Sequence, residues 1–275
     1  MKPKTIVITG ASDGVGAAAA RQLADAGHRL FLVGRSPAKT AAVAKELDAR
    51  HFVADFASLD DVRRLADELL ASCDRIDVLA NNAGLVSGPR RVVTEDGHEL
   101  TNQVNYLAPF LLDHLLRDRL VASRATVIAT ASVCHWAGRI DLDDPDHKRS
   151  YHAVRAYSDT KLALLLHTRE LQRRHAADGL IAVAFHPGVI SSNFSRGSGS
   201  LFEPAISGPL HPLLTTTPAK GADSLVFLAE GTPGVDFPPG GYIVHRLPAA
   251  TRTCVRDLRL ADALWRRTEQ ALGLS

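Results

Sequence analysis

One glycine-rich stretch near the amino terminus constrains the fold more than any other feature. The apolar run Thr5-Ile6-Val7-Ile8 reads as a β-strand, and Thr9-Gly10-Ala11-Ser12-Asp13-Gly14-Val15-Gly16 follows it directly. Beyond Gly16 an alanine-rich stretch reads as a helix to about Ala26. Glycine permits a tight turn and lets backbone N–H groups approach a diphosphate at the positive end of the helix. Turns use glycine routinely, so the cluster gains weight only from its strand–turn–helix setting, which a dinucleotide site requires.

The rest of the chain repeats the alternation. Strands are predicted at Leu30–Val33, His51–Ala54, Ile76–Ala80, Thr126–Thr130, Ile181–Phe185 and Tyr242–Val244. Helices are predicted near Ala38–Ala49, Leu59–Cys73, Thr101–Leu120, Val154–Arg174, Ala219–Ala229 and Leu258–Leu272. This pattern predicts the α/β class: a single-domain, doubly wound parallel sheet of about seven strands with helices on both faces. Residues Ser191–Thr217 are rich in Gly, Ser and Pro and are expected to form a mobile or loosely helical excursion. Its Phe194, Leu201, Phe202, Ile206 and Leu210 suit a lid over an apolar ligand, or simple packing on the sheet edge.

Composition narrows the function classes. The chain has 275 residues, 45% of them hydrophobic, which is enough for one α/β domain with a large core. Lys plus Arg total 32 against 30 Asp plus Glu, a balance that gives no hint of a nucleic-acid partner. Cys73, Cys134 and Cys254 are far apart and odd in number, and no Cys or His spacing suggests a metal site or a disulfide framework. The first strand begins too early for a signal peptide, and no apolar run reaches the ~20 residues of a membrane span, so a cytoplasmic protein is expected.

Tyr157 and Lys161 stand at i,i+4 spacing and share one helix face. A phenol ordinarily titrates near about 10, and a neighbouring ammonium eases its proton traffic. Ser132 follows the predicted strand Thr126–Thr130, where strand ends meet the ligand crevice. A hydroxyl there can hold a substrate oxygen. Asn81-Asn82-Ala83-Gly84 follows another strand, its small residues giving a cofactor close access. Asn105 is either a locally bonded packing residue or an anchor for a proton-relaying water. His135 and Trp136 either line the substrate pocket or pack the loop. At the end of the second strand stands Gly34-Arg35 rather than a carboxylate. Arg35, with help from the Ser12 hydroxyl, suits a 2′-phosphate and therefore NADP(H), although Asp13 brings a negative charge to the same region.

In this order the pieces resemble the short-chain dehydrogenase/reductase family, over nearly the whole chain. The resemblance implies a Rossmann-type fold and a catalytic set of Asn105, Ser132, Tyr157 and Lys161. It implies cofactor contacts along the glycine turn, at Gly10, Ser12, Asp13, Gly14, Val15 and Gly16, and at Arg35. Further contacts are implied at Asp55 and Phe56 near the adenine, at Asn81, Asn82, Ala83 and Gly84, and at Tyr157 and Lys161. On the nicotinamide side it implies Pro187, Gly188, Val189 and Ser192, the last standing where the family often has Thr. The segments Val104–Phe110 and Ala156–Ala163 resemble the retinol-dehydrogenase-like branch, which includes bacterial polyketide ketoreductases. The expected activity is NADPH-dependent reduction of a ketone or aldehyde on an apolar or aromatic small molecule. The rival expectation is a non-catalytic NADP-binding sensor or scaffold. Family relatives pair through the helices near Thr101–Leu120 and Val154–Arg174, which implies a homodimer or homotetramer.

Overall fold

The computed structural model describes residues 2–188 and 216–274. Strand β1 (Thr5–Thr9) lies at the middle of the sheet because its apolar residues bury on both faces. Ile6 and Ile8 point to one side and Val7 to the other. Parallel neighbours are β2 (Arg29–Gly34) on one flank and β4 (Val78–Asn81) on the other. With β3 (Arg50–Val53), β5 (Thr126–Thr130), β6 (Ile181–His186), β7 (Tyr242–Val244) and β8 (Leu247–Pro248), the order is β3-β2-β1-β4-β5-β6-β7-β8. The direction of winding reverses at β1, so a crevice opens outside the carboxyl ends of β1 and β4.

The sequence predicts about seven strands, and the structure has eight. The extra strand, β8, is the only antiparallel one among the described residues, paired with β7 through Ile243↔Pro248 and Val244↔Leu247. Its two-residue turn is made by His245 and Arg246, both at positive φ (51° and 65°). Such turns ordinarily use Asn-Gly or Asp-Gly, so His-Arg gives no hairpin signal.

Helices α1 (Gly14–Asp25), α2 (Pro37–Glu46) and α3 (Leu59–Ser72) begin where Asp13, Ser36 and Ser58 accept hydrogen bonds from first-turn N–H groups. The predicted helix near Thr101–Leu120 is in fact three pieces. A short α4 (Leu100–Asn102) passes into a π-helical turn (Gln103–Leu107), and α5 (Ala108–Ser123) continues from it. The cause is Pro109, which has no N–H to close an α-helical bond onto the carbonyl of Asn105. Then come α6 (Ala153–His175), α7 (Pro218–Glu230) and α8 (Leu258–Leu272).

One face of the sheet packs against α1, α2 and α7, and the other against α3, α5, α6 and α8. Phe110 is at the centre of the second core, 1% exposed. Its ring lies 4.8 Å from that of Trp265 on α8 and 4.9 Å from the imidazole of His167 on α6. Removing it would leave a cavity joining three helices, so Phe110→Ala is expected to lower stability by about 3–5 kcal/mol in urea unfolding.

Candidate active site

The first half of the site is a backbone contact between two turns. Gly10 has φ +66°, and a Cβ there would lie 2.8 Å from Cα of Ala83. At Gly16 a Cβ would stand 2.4 Å from the carbonyl oxygen of Gly10. Both positions therefore exclude a side chain, which leaves the amino end of α1 uncovered. Thr9 fastens the two turns together: its Oγ1 accepts from the N–H groups of Asn82 and Ala83, each at 3.0 Å. Asn82 completes the joint by donating from Nδ2 to the carbonyls of Thr9 (3.0 Å) and Gly10 (3.4 Å). Sequence reasoning did not single out Thr9; its signal is a hydroxyl directly before the first glycine of the turn.

The other predicted cofactor residues have different settings. Arg35 is exposed at the end of β2 and takes part in no ion pair among the described residues. Ser12 is beside it, with Oγ 3.1 Å from where a Cβ on Gly34 would be. The charge of Asp13 is engaged: Oδ1 accepts from Gly14 N–H at 2.8 Å, and Oδ2 lies 3.4 Å from Lys39 Nζ. Val15, half-buried, packs beside the core under α1. Asp55 accepts from Ala57 N–H at 3.0 Å, while the Phe56 ring is buried in the core and its carbonyl accepts from Gln103 Nε2 at 3.4 Å. The side chain of Asn81 turns to the opposite face, donating to Asp113 at 2.7 Å. Asp113 in turn meets His167 Nε2 at 2.8 Å. Pro187 and Gly188 follow β6, and Gly188 takes φ +89° against Thr216. Val189, Ser192 and the expected lid at 191–217, all but its last two residues, lie outside the described residues.

The second half gathers at the ends of β4 and β5. Ser132 caps a 3-10 turn (Val133–Ala137), accepting from Cys134 N–H at 3.2 Å. Gly138 lets that turn lie on α6, since a Cβ would meet the carbonyl of Ser158 at 2.4 Å. On α6, Tyr157 and Lys161 share the face toward this turn, with Lys161 Nζ 5.5 Å from the Tyr157 ring centre. Lys161 Nζ donates to the carbonyl of Thr130 at 2.7 Å. Burial lowers its pKa to about 8. Burial also pushes the Tyr157 phenol well above its ordinary range, with Cys134 adding to the shift and a hydrogen bond with Ser132 opposing it. Ser132, Tyr157 and Lys161 are thus brought together and are almost fully enclosed.

Asn105 joins them through the π-helical turn. Its Oδ1 accepts from Leu85 N–H at 2.8 Å and its Nδ2 donates to the Leu85 carbonyl at 2.9 Å. The side chain is therefore a backbone clamp. Gly84 allows this approach, because a Cβ there would be 3.2 Å from Asn105 Oδ1 and 3.8 Å from Lys161 Nζ. A separate cavity of about 320 Å³, between α6, α8 and residues 139–148, opens on the side of α6 away from Tyr157 and Lys161. Among the described residues no group of three or more His, Cys, Asp or Glu side chains is placed to hold a metal ion.

With this geometry in view, comparison with known proteins decides the family. Residues 4–200 match the short chain dehydrogenase family. The chain belongs to that family. Human retinol dehydrogenase 13 is 35% identical over 98% of this chain and 85% of its own length. DnrU of Streptomyces sp. (strain C5), assigned as a daunorubicin C-13 ketoreductase, is 39% identical over 98% of this chain and 93% of its own. These relatives place the chain in the retinol-dehydrogenase-like branch of the short-chain dehydrogenases. A crystal structure of an uncharacterised protein from Mycobacterium paratuberculosis superposes with a TM-score of 0.78 at 32% identity, covering 98% of this chain and 93% of that one. The 3-ketoacyl-(acyl-carrier-protein) reductase of Brucella melitensis, complexed with NADH, shares the fold with a TM-score of 0.68 at 22% identity.

As a member of this family the protein is an oxidoreductase of the hydride-transferring kind that uses a nicotinamide cofactor. The cradle at Gly10 and Gly16 fits such a group, since a Cβ at either glycine would meet neighbouring backbone. No helix among the described residues is long and apolar enough to cross a membrane. Gly16→Ala is expected to weaken nicotinamide dinucleotide binding at least about tenfold, measured by fluorescence titration, because the added methyl displaces the turn.

Proposed function

We propose that this chain is an NADPH-dependent reductase of a ketone or aldehyde on an apolar small molecule, with Tyr157 as the proton donor. The observation that carries this reading is the enclosed group of Ser132, Tyr157 and Lys161 at the carboxyl ends of β4 and β5. When bound, the cofactor supplies the hydride. Ser132 offers its hydroxyl to the substrate oxygen and polarises the carbonyl. Tyr157, kept protonated by its burial, donates the proton that the reduced oxygen needs. The ammonium of Lys161 stabilises the phenolate left behind and holds ribose hydroxyls at the same time. Asn105 ties the π-helical turn to Leu85 and keeps a water path to Lys161 in register.

Preference for NADP over NAD rests on the exposed guanidinium of Arg35, in no ion pair among the described residues, and on the Ser12 hydroxyl beside it. Asp13 opposes a 2′-phosphate less than its sequence position suggests, because it caps α1 and pairs with Lys39. Reduction as the direction agrees with DnrU, whose assignment is that of a ketoreductase.

Tyr157→Phe is expected to lower NADPH-dependent turnover of aromatic ketones by at least about a thousandfold, with NADPH affinity nearly unchanged. Turnover that survives this change would sink the assignment of Tyr157. Arg35→Asp is expected to raise KM for NADPH by about ten- to a hundredfold and to leave KM for NADH the same or lower, read from steady-state kinetics with both cofactors.

A further inference from the structure

Two buried polar atoms next to Ser132 have no hydrogen-bond partner among the described residues: Nε2 of His135 and Oη of Tyr242. Neither belongs to the set of residues that moves the proton. His135 is on the 3-10 turn that Ser132 starts, and Tyr242 opens β7, opposite Ala184 on β6. The two rings touch edge to face, with centres 5.1 Å apart. They are 0% and 4% exposed, against 6% for Ser132 and 8% for Tyr157, so the two pairs are closed off alike. The Tyr242 phenol is also near enough to Tyr157 to favour that residue's protonated form.

The hydrogen-bonding character of each atom is fixed by its surroundings. His135 Nδ1 lies 2.7 Å from the carbonyl oxygen of Ser132. A carbonyl can only accept, so Nδ1 carries the proton. Burial holds the imidazole below its ordinary pKa and hence neutral, which makes Nε2 a bare acceptor. Burial likewise keeps the Tyr242 phenol protonated, so Oη presents a donor. An unmet acceptor and an unmet donor are thus carried by two touching rings in an enclosed region, where leaving either unpaired is costly.

We propose that His135 and Tyr242 form a subsite that reads a hydroxyl group of the substrate. On the reductase reading above, the substrate class is then a hydroxyketone or hydroxyaldehyde. One hydroxyl satisfies both atoms, donating to Nε2 and accepting from Oη. An ether or a second carbonyl satisfies only Tyr242, and a hydrocarbon satisfies neither. His135 stands on the 3-10 turn that Ser132 starts, so α- and β-hydroxyketones, whose hydroxyl is nearest the carbonyl, are the probes suited to this subsite. Groups arranged this way reject analogues lacking the hydroxyl more strongly than an apolar pocket does.

The test compares NADPH oxidation on butyrophenone with that on its α-hydroxy, β-hydroxy and β-methoxy derivatives, using the whole protein. The expected result is a kcat/KM for at least one hydroxyketone at least about tenfold above butyrophenone, with the methyl ether showing no such gain. Tyr242→Phe is expected to shrink that hydroxyketone-to-ketone ratio toward one. If this variant does not fold, the methyl ether measured with unaltered protein decides the matter. Butyrophenone reduced as well as both hydroxyketones would overturn the subsite and leave the reductase reading standing. An unchanged ratio in Tyr242→Phe, with both rates falling in proportion, would also overturn it by showing a purely structural role. No reduction of any of the four ketones would overturn the reductase reading together with the subsite.

Discussion

A buried ammonium organises this molecule. Lys161 is 3% exposed, and its Nζ is held by the carbonyl of Thr130 at 2.7 Å. Burying a charge is expensive unless polar groups surround it, and here the expense appears as a pKa lowered to about 8. The hydrogen bond ties the centre of α6 to the end of β5 and so fixes Tyr157, one helical turn away, against the turn that begins at Ser132. Gly84 is required by the same constraint, since the end of β4 must pass close to both Lys161 and Asn105.

The opposite half of the crevice depends on close approach of main chain rather than on charge. Gly10, Gly16, Asn82 and Thr9 lock two turns together, so the amino end of α1 is held open at the point where the sheet reverses its winding. The two halves meet along β4. Asn82 at its end braces the glycine turn, while Asn81, one residue earlier, faces the other way into a buried chain with Asp113 and His167. Successive residues of a strand point to opposite faces, so neighbours in sequence serve different cores.

Much of the architecture was legible because its signals are local. The strand at Thr126–Thr130, the last parallel strand at Tyr242–Val244 and the terminal helix Leu258–Leu272 were placed with the bounds the structure shows. What escaped notice lacked a local signal. The His245-Arg246 turn has none of the usual residues for its conformation, and β8 was missed with it. Within the single helix predicted near Thr101–Leu120, the break at Pro109 becomes a π-helical turn at Asn105 because α4 runs into α5 without a gap. Asn81, implied as a cofactor contact by the family resemblance, spends its side-chain amide on Asp113 across the core, a pairing with no local signal.

The sequence by itself determined the class of fold, the family and the presence of a tyrosine, lysine and serine at fitting intervals. Hydrophobic periodicity and glycine placement are written residue by residue, and each requires only its near neighbours to be read. Tertiary structure alone decided which polar atoms end up satisfied. It gave Asp13 to Lys39 and turned Asn105 into a clamp on Leu85; among the described residues it left Arg35 without an ion pair, and His135 Nε2 and Tyr242 Oη without hydrogen-bond partners. Those outcomes depend on groups distant in sequence competing for the same few hydrogen bonds. Only a folded chain brings the competitors within reach of one another.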